Sequence, residues 1–206
     1  MSVDREPVRV LLVRHGEQRL DDPDPSLSER GLAQAAAVAS AIDLTDDDRL
    51  LSSTLRRAVE TARATGREPE KLRDLDEFRF GPSWTWEQGE EREDLALWRP
   101  EHSAGEESLL EFQTRVESAL DALVSQPPPG RLVVVVHSGV MDAVVRWAFG
   151  IAPDVAWTTE VGVPHGSVTE LQHWPEGRHP HGAPRHTFVA RLGEVRHLPP
   201  ELATGL

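Results

Sequence analysis

The sequence predicts an α/β fold built on a mostly parallel central sheet with helices on both faces. Three observations predict it. Segments of strand character alternate along the chain with segments of helical period, the order expected of parallel strands joined by crossover helices. Residues 132–136, Leu-Val-Val-Val-Val, form an unbroken apolar run, as a strand buried on both faces requires. A second apolar run, Val10-Leu11-Leu12-Val13, leads straight into Arg14-His15-Gly16-Glu17. Open α/β sheets hold their ligands beyond the carboxyl ends of their strands.

The elements follow in order. Residues 8–13 read as the first strand and 20–25 as an acidic, proline-containing loop. Residues 31–42 are an alanine-rich helix, with Ser28 as its cap and Glu29 and Arg30 in the first turn. Residues 49–52 are a short strand, and 55–65 a helix ended by Gly66. Residues 82–105 break the alternation and hold Trp84, Trp86 and Trp98 among many acids. Residues 106–124 have helical period, with Leu109, Phe112, Val116, Leu120 and Leu123 on one face. Pro127-Pro128-Pro129-Gly130 is a hard break before the strand 132–136. Residues 140–149 form the next helix, closed by Gly150, and 167–171 and 187–192 are late strands. Between them, 175–186 is a loop rich in Pro, Gly and His that reads as flexible. No repeat or linker divides the chain, so residues 1–206 are expected to form one domain.

Composition narrows the function. Of the 206 residues, 38% are hydrophobic and 28% charged, values of a soluble globular chain with one sizeable core. The net charge of -13 argues against nucleic-acid binding, which wants a basic face. It leaves room for a phosphorylated substrate, because a small site needs only local positive charge. Lys71 is the single lysine, so cations are almost all arginines, whose planar fork suits phosphate oxygens. With no cysteine, disulfides, thiolate nucleophiles and cysteine-based zinc sites are excluded. The first seven residues lack an apolar signal region, and no apolar run approaches the ~20 residues needed to span a bilayer. A cytoplasmic enzyme is expected, with no membrane or nucleic-acid partner, either monomeric or dimeric.

At the first strand end, a permanent cation and an imidazole stand together, and a glycine lets the backbone turn. Imidazole forms covalent intermediates, and beside Arg14 the natural target is an anion. Three further segments strengthen this. They are Ser52-Ser53-Thr54-Leu55-Arg56-Arg57-Ala58-Val59-Glu60-Thr61-Ala62, Leu75-Asp76-Glu77-Phe78-Arg79-Phe80-Gly81, and Val133-Val134-Val135-Val136-His137-Ser138-Gly139-Val140. Leu27-Ser28-Glu29-Arg30-Gly31-Leu32-Ala33-Gln34-Ala35 and Glu107-Ser108, with Phe112 and Arg115, add two more. In this order the set resembles the histidine phosphatase superfamily, the phosphoglycerate-mutase-like enzymes of branch 1, from about Val8 to Leu171.

The resemblance implies a three-layer α/β/α sandwich, with residues 82–105 an inserted lid or specificity segment at the mouth. It implies that His15 attacks phosphorus, that Arg14, Arg57 and His137 hold the phosphate, and that Glu77 protonates the leaving oxygen. The same residue types suit phosphoryl transfer physically: catalysis there is mostly positioning and charge stabilisation. Neighbouring cations favour a neutral His15, and its other nitrogen should donate to a backbone carbonyl, which the resemblance places in the turn near Gly16. Adjacent residues on a helix point ~100° apart, so only one of Arg56 and Arg57 can face the site; the family register selects Arg57. Asp76 is the alternative acid by position. Gln18 and Ser138 are candidate phosphate or substrate contacts, and His165-Gly166 stand where the family often closes the site through a backbone donor. No cofactor and no metal are expected, the arginines serving as the charge clamp. His173, His179, His181 and His186 match no defined metal spacing and read as loop residues. Trp84, Trp86 and Trp98 read as the small core of the inserted segment rather than a pocket lining.

The expected activity is hydrolysis of a small-molecule phosphomonoester through a phosphohistidine. A mutase is the alternative; the resemblance implies that the family's mutases carry longer insertions and extra basic residues for a bisphosphate, whereas residues 17–27 are short and acidic and 82–105 is acidic apart from Arg92 and Arg99, which favours hydrolysis. A non-catalytic phospho-ligand binding module ranks last, since every expected catalytic position is filled.

Overall fold

A computed structural model of the chain describes residues 6–79, 107–158, 160–176, 179, 181 and 185–204. Six strands form one mixed sheet: β1 (Val8–Arg14), β2 (Arg49–Ser52), β3 (Glu70–Lys71), β4 (Leu132–Val136), β5 (Val168–Trp174) and β6 (His186–Glu194). Their spatial order is β3-β2-β4-β1-β5-β6. Four α-helices stand among the described residues: α1 (Glu29–Ile42), α2 (Arg56–Arg63), α3 (Leu109–Ser125) and α4 (Ser138–Ala148). β1 through β4 pair in parallel, as the alternation of strand and helix requires. The late strands differ: β5 and β6 run antiparallel, so one edge of the sheet is a long hairpin.

The layering comes from the period-two alternation of the central strands. Val8, Val10 and Leu12 of β1 and Leu132, Val134 and Val136 of β4 point to one face. There they pack with Phe112, Val116, Leu120 and Leu123 of α3 and Val140, Met141, Val144 and Trp147 of α4. Leu11, Val13, Val133 and Val135 point to the other face, against Val38 and Ile42 of α1 and Ala58 and Ala62 of α2. The result is an α/β/α sandwich. Each large side chain buried this way contributes roughly 1.5–3 kcal/mol. A one-residue slip of β4 would exchange its two sets of valines between cores of different shape, so the register is well specified.

Caps decide the helix ends. Ser28 Oγ accepts the Gly31 amide at 3.0 Å and starts α1 two residues earlier than its alanine run suggests. Ser108 and Glu111 form a reciprocal capping box, which starts α3 at Leu109 rather than at residue 106. α2 is shorter than expected: it stops at Arg63, and the chain turns through Gly66 at φ +81°. β3 and the 3-10 turn Arg73–Leu75 are too short to show a sequence period. β5 and β6 both extend beyond the predicted strands, because each edge residue gains a partner in the hairpin. Residues 82–105, with Trp84, Trp86 and Trp98, lie outside the described residues, as does part of 175–186. No helix among the described residues is long and apolar enough to cross a membrane.

Candidate active site

β1 and β4 lie side by side with Arg14 level with Val136, so the turns that follow them emerge together. That places the rings of His15 and His137 5.0 Å apart. The His15 amide donates to Val136 O at 2.9 Å, and the Gly166 amide donates to the carbonyls of Arg14 and His15 (3.1 and 3.2 Å). Three chain segments therefore close on the same point. The Gly166 backbone bonds the end of β1 and His15 itself, and the ring of its neighbour His165 lies 5.4 Å from that of His15.

His15 is 4% exposed. Its Nδ1 lies 2.7 Å from the carbonyl oxygen of Gly16. A carbonyl only accepts, so Nδ1 carries the proton and Nε2 keeps its lone pair. Arg57 Nε donates to that Nε2 at 3.2 Å. Burial, and then the charge of Arg57, hold the His15 pKa well below the usual imidazole value, so the ring is neutral and nucleophilic.

The turn that carries His15 is tightly held. A Cβ on Gly16 would run into the Gly31 carbonyl, because the start of α1 packs directly against this turn. The Gly16 amide donates to Thr61 Oγ1 (3.0 Å), which donates in turn to Arg57 O (2.8 Å). The Glu17 amide donates to Gln34 Oε1 at 2.7 Å, and Gln34 Nε2 donates to Leu202 O at 2.8 Å. One buried glutamine thus ties the turn after His15 to Leu202, near the end of the chain.

Arg14 spreads its guanidinium between Val163 O and His165 Nε2, the latter at 3.2 Å. Its Nε is buried with no partner among the described residues, a donor left over for an anion. Arg57 is buried, whereas Arg56 points outward and pairs with Glu60 at 2.9 Å. Burial lowers the pKa of both Arg14 and Arg57 without approaching neutrality of the groups at ordinary pH.

His137 is fully buried and stands just before α4. Its Nε2 is 2.7 Å from Ser53 Oγ, and its Nδ1 has no partner among the described residues. Burial first, then His15, Arg57 and Arg14, keep its pKa well below the usual value.

Glu77 follows the 3-10 turn. Its Oε1 accepts the Phe78 amide (2.9 Å) and its Oε2 the Gly139 amide at the start of α4 (3.1 Å). Burial raises its pKa, against the opposing pull of these amides, Arg57 and Arg14. Arg115 holds the backbone of this segment: it donates to Asp74 O (2.8 Å) and Glu77 O (3.2 Å) while paired with buried Glu107 at 2.5 and 2.9 Å. Asp76, the alternative acid, is committed elsewhere. Its carboxylate accepts the Thr54 amide at 2.7 Å and the Thr54 hydroxyl at 2.8 Å.

Gln18 lies in the turn after the nucleophile, bridged to Leu27 through the backbone, and Ser138 is the half-buried first residue of α4. His173 and His186, read from the sequence as loop residues, stand instead in β5 and at the start of β6, because the hairpin pairs them into the sheet; His173 is buried on Trp147 (rings 4.8 Å apart), and His179, His181 and His186 cluster near Trp174. No three His, Asp or Glu side chains among the described residues are arranged to hold a metal ion. Sequence reading did not single out Ser53 or Gln34. For Gln34 a signal existed: it is a polar residue on the buried face of α1, in line with Gly31, Ala35 and Val38.

The assembled groups are a neutral imidazole whose unprotonated nitrogen accepts from Arg57, one buried and one half-buried guanidinium, a second imidazole whose Nδ1 has no partner among the described residues, and a carboxyl whose pKa burial raises. Such a set suits transfer of an anionic group to nitrogen.

Residues 10–182 match the model of the histidine phosphatase superfamily (branch 1). The chain is 29% identical over 204 residues to the glucosyl-3-phosphoglycerate phosphatase of Mycobacterium tuberculosis, covering 82% of this chain and 87% of that one. It is 29% identical over 166 residues to a metal-independent phosphoserine phosphatase of Arabidopsis thaliana, covering 70% of each. The crystal structure of Entamoeba histolytica phosphoserine phosphatase in complex with 3-phosphoglyceric acid superimposes with a TM-score of 0.71 at 22% identity, over 93% of this chain and 100% of that one. At that identity the superposition speaks for the fold.

Proposed function

The chain belongs to the histidine phosphatase superfamily, branch 1, and on that premise we propose that it hydrolyses a small-molecule phosphomonoester through a phosphohistidine on His15. One observation carries this reading: His15 Nδ1 is fixed by Gly16 O at 2.7 Å, which leaves Nε2 unprotonated, with buried Arg57 donating to it at 3.2 Å and half-buried Arg14 preceding it in the chain.

In the first step the Nε2 lone pair attacks phosphorus as the bond to the leaving oxygen breaks. Glu77 gives its proton to that oxygen, and its raised pKa keeps the proton available. Arg14, Arg57 and His137 hold the non-bridging oxygens, where charge accumulates. In the second step water attacks the phosphohistidine, its proton passes to the Glu77 carboxylate, and the P–N bond breaks to release inorganic phosphate and restore both groups. The two guanidiniums supply the charge that a divalent cation would otherwise supply, so the reaction is proposed to need no metal. A cytoplasmic location belongs to the same reading.

The test is phosphate release from a panel of sugar phosphates, phosphoglycerates, phosphoamino acids, nucleotides and an aryl phosphate, with His15→Ala beside the wild type. Release that needs His15, together with an acid-labile, base-stable phosphoenzyme, supports the reading. Release of equal rate from His15→Ala would overturn it.

A further inference from the structure

His137 can serve a phosphate only if the nitrogen turned to it carries a proton. A neutral imidazole has one N–H, so its two nitrogens are not equivalent. One of them, Nε2, lies 2.7 Å from Ser53 Oγ. The other, Nδ1, is buried and without a partner among the described residues, on a ring 5.0 Å from that of His15.

Ser53 is built into the sheet. It directly follows β2, and its amide donates to Val135 O of β4 at 3.1 Å. The residue is fully buried. Its Oγ also accepts the Leu55 amide at 3.3 Å, so the hydroxyl proton remains to be donated, and the acceptor beside it is His137 Nε2.

The two tautomers can be compared by what they leave unsatisfied. With the proton on Nε2, His137 would donate to Ser53, the serine proton would have no acceptor, and Nδ1 would present a bare lone pair. A lone pair repels a phosphate oxygen. With the proton on Nδ1, Ser53 donates to Nε2 and its bonds are complete. The single remaining group is then an Nδ1–H donor, which an anionic oxygen satisfies. A buried unmet donor or acceptor costs on the order of a tenfold to hundredfold in an equilibrium, so the second arrangement wins.

We propose that Ser53 is a positioning residue that fixes His137 as the Nδ1–H tautomer and so makes it a phosphate donor. The proposal rests on the phosphatase reading for the identity of the anion, but the tautomer itself can be read without any turnover.

The test uses the full chain with 15N-labelled histidine. Long-range 15N–1H spectra distinguish the tautomers of His137, assigned by comparison with His137→Gln. The wild type should show the proton on Nδ1. Ser53→Ala should shift the ring toward the Nε2–H form and weaken inhibition by inorganic phosphate about tenfold. Ser53→Thr, which keeps the hydroxyl, should restore both. An Nε2–H tautomer in the wild type overturns the proposal, and so does a Ser53→Ala protein with unchanged tautomer and phosphate inhibition. Failure of the phosphatase reading looks different: the wild type would then show neither turnover nor phosphate binding while the tautomer of His137 remained measurable.

Discussion

Glu77 rests on the first turn of α4, where its carboxylate accepts the Gly139 amide at 3.1 Å. The proposed acid is thus positioned by the same strand-to-helix junction that carries His137. This fixes two site groups from one element. It also explains why position 139 is glycine, since a Cβ there would meet the Glu77 carboxylate.

Gly139→Ala should therefore fold and yet displace the acid. Turnover of a substrate with a poor leaving group should fall at least about tenfold, while an aryl phosphate, which leaves without a proton, should be little affected. Glu77→Gln should show the same contrast at about a hundredfold or more. Equal losses on both substrates, measured as kcat/KM, would place the acid elsewhere.

Arg57 and Arg56 provide a test of register. Arg57 is buried against His15 Nε2, and Arg56 is an exposed partner of Glu60. Arg57→Ala should lower kcat/KM by about a hundredfold to a thousandfold, as loss of one fixed charge-stabilising donor does. Arg56→Ala should leave activity within about twofold and shift stability by no more than about 0.5 kcal/mol.

The pH profile follows from the signs of two shifts. His15 must be unprotonated to attack, and its pKa lies well below the usual imidazole range, so activity should persist into mildly acidic solution before falling. Glu77 must be protonated in the first step, and its pKa lies above the usual carboxylate range, so activity should fall again as pH rises through that raised value. In the wild type that alkaline fall should appear with a substrate of poor leaving group and be absent from the burst of aryl alcohol, whose departure needs no proton. A burst with an unchanged alkaline limb would assign that limb to another group.

Buried neutral histidines also shape stability. The folded pKa of His173 is lowered to about 4, chiefly by burial. Between that value and the usual imidazole range the unfolded chain takes up a proton that the folded chain does not. Stability is full above that range and is lost as pH falls. The melting temperature should drop by a few degrees between pH 7 and pH 5, and His173→Gln should flatten part of that slope.

Gln34 offers a separate check on the nucleophile turn. Its amide satisfies the Glu17 N–H and the Leu202 carbonyl at once. Gln34→Ala should cost about 1–3 kcal/mol for each group left unpaired, visible in denaturant unfolding, and should lower kcat/KM with the loosened turn. Gln34→Glu, which keeps the acceptor for Glu17 but loses the donor to Leu202, should cost less activity than stability.

Much of this protein was legible in its sequence for a local reason. The valine runs of β1 and β4 declare buried strands by composition alone, and Arg14, His15 and His137 follow them directly, so strand ends and site residues are read together. Helical geometry allows only one of Arg56 and Arg57 to face the site, and the resemblance to the family's register selected Arg57. What the tertiary structure decided lies in partnerships that no local period encodes. Asp76 and Glu77 are adjacent acids, and only the fold sends one to Thr54 and the other to Gly139. Ser53 meets His137, and Gln34 meets Leu202, because the closing of distant segments brings single polar atoms within hydrogen-bond reach. The antiparallel hairpin of β5 and β6 is of the same kind, since strand character is local and strand direction is set by pairing. Periodicity and residue chemistry specify which faces are buried and which groups can react; burial and register, acting between segments far apart in the chain, choose each group's partner and through it the proton it holds.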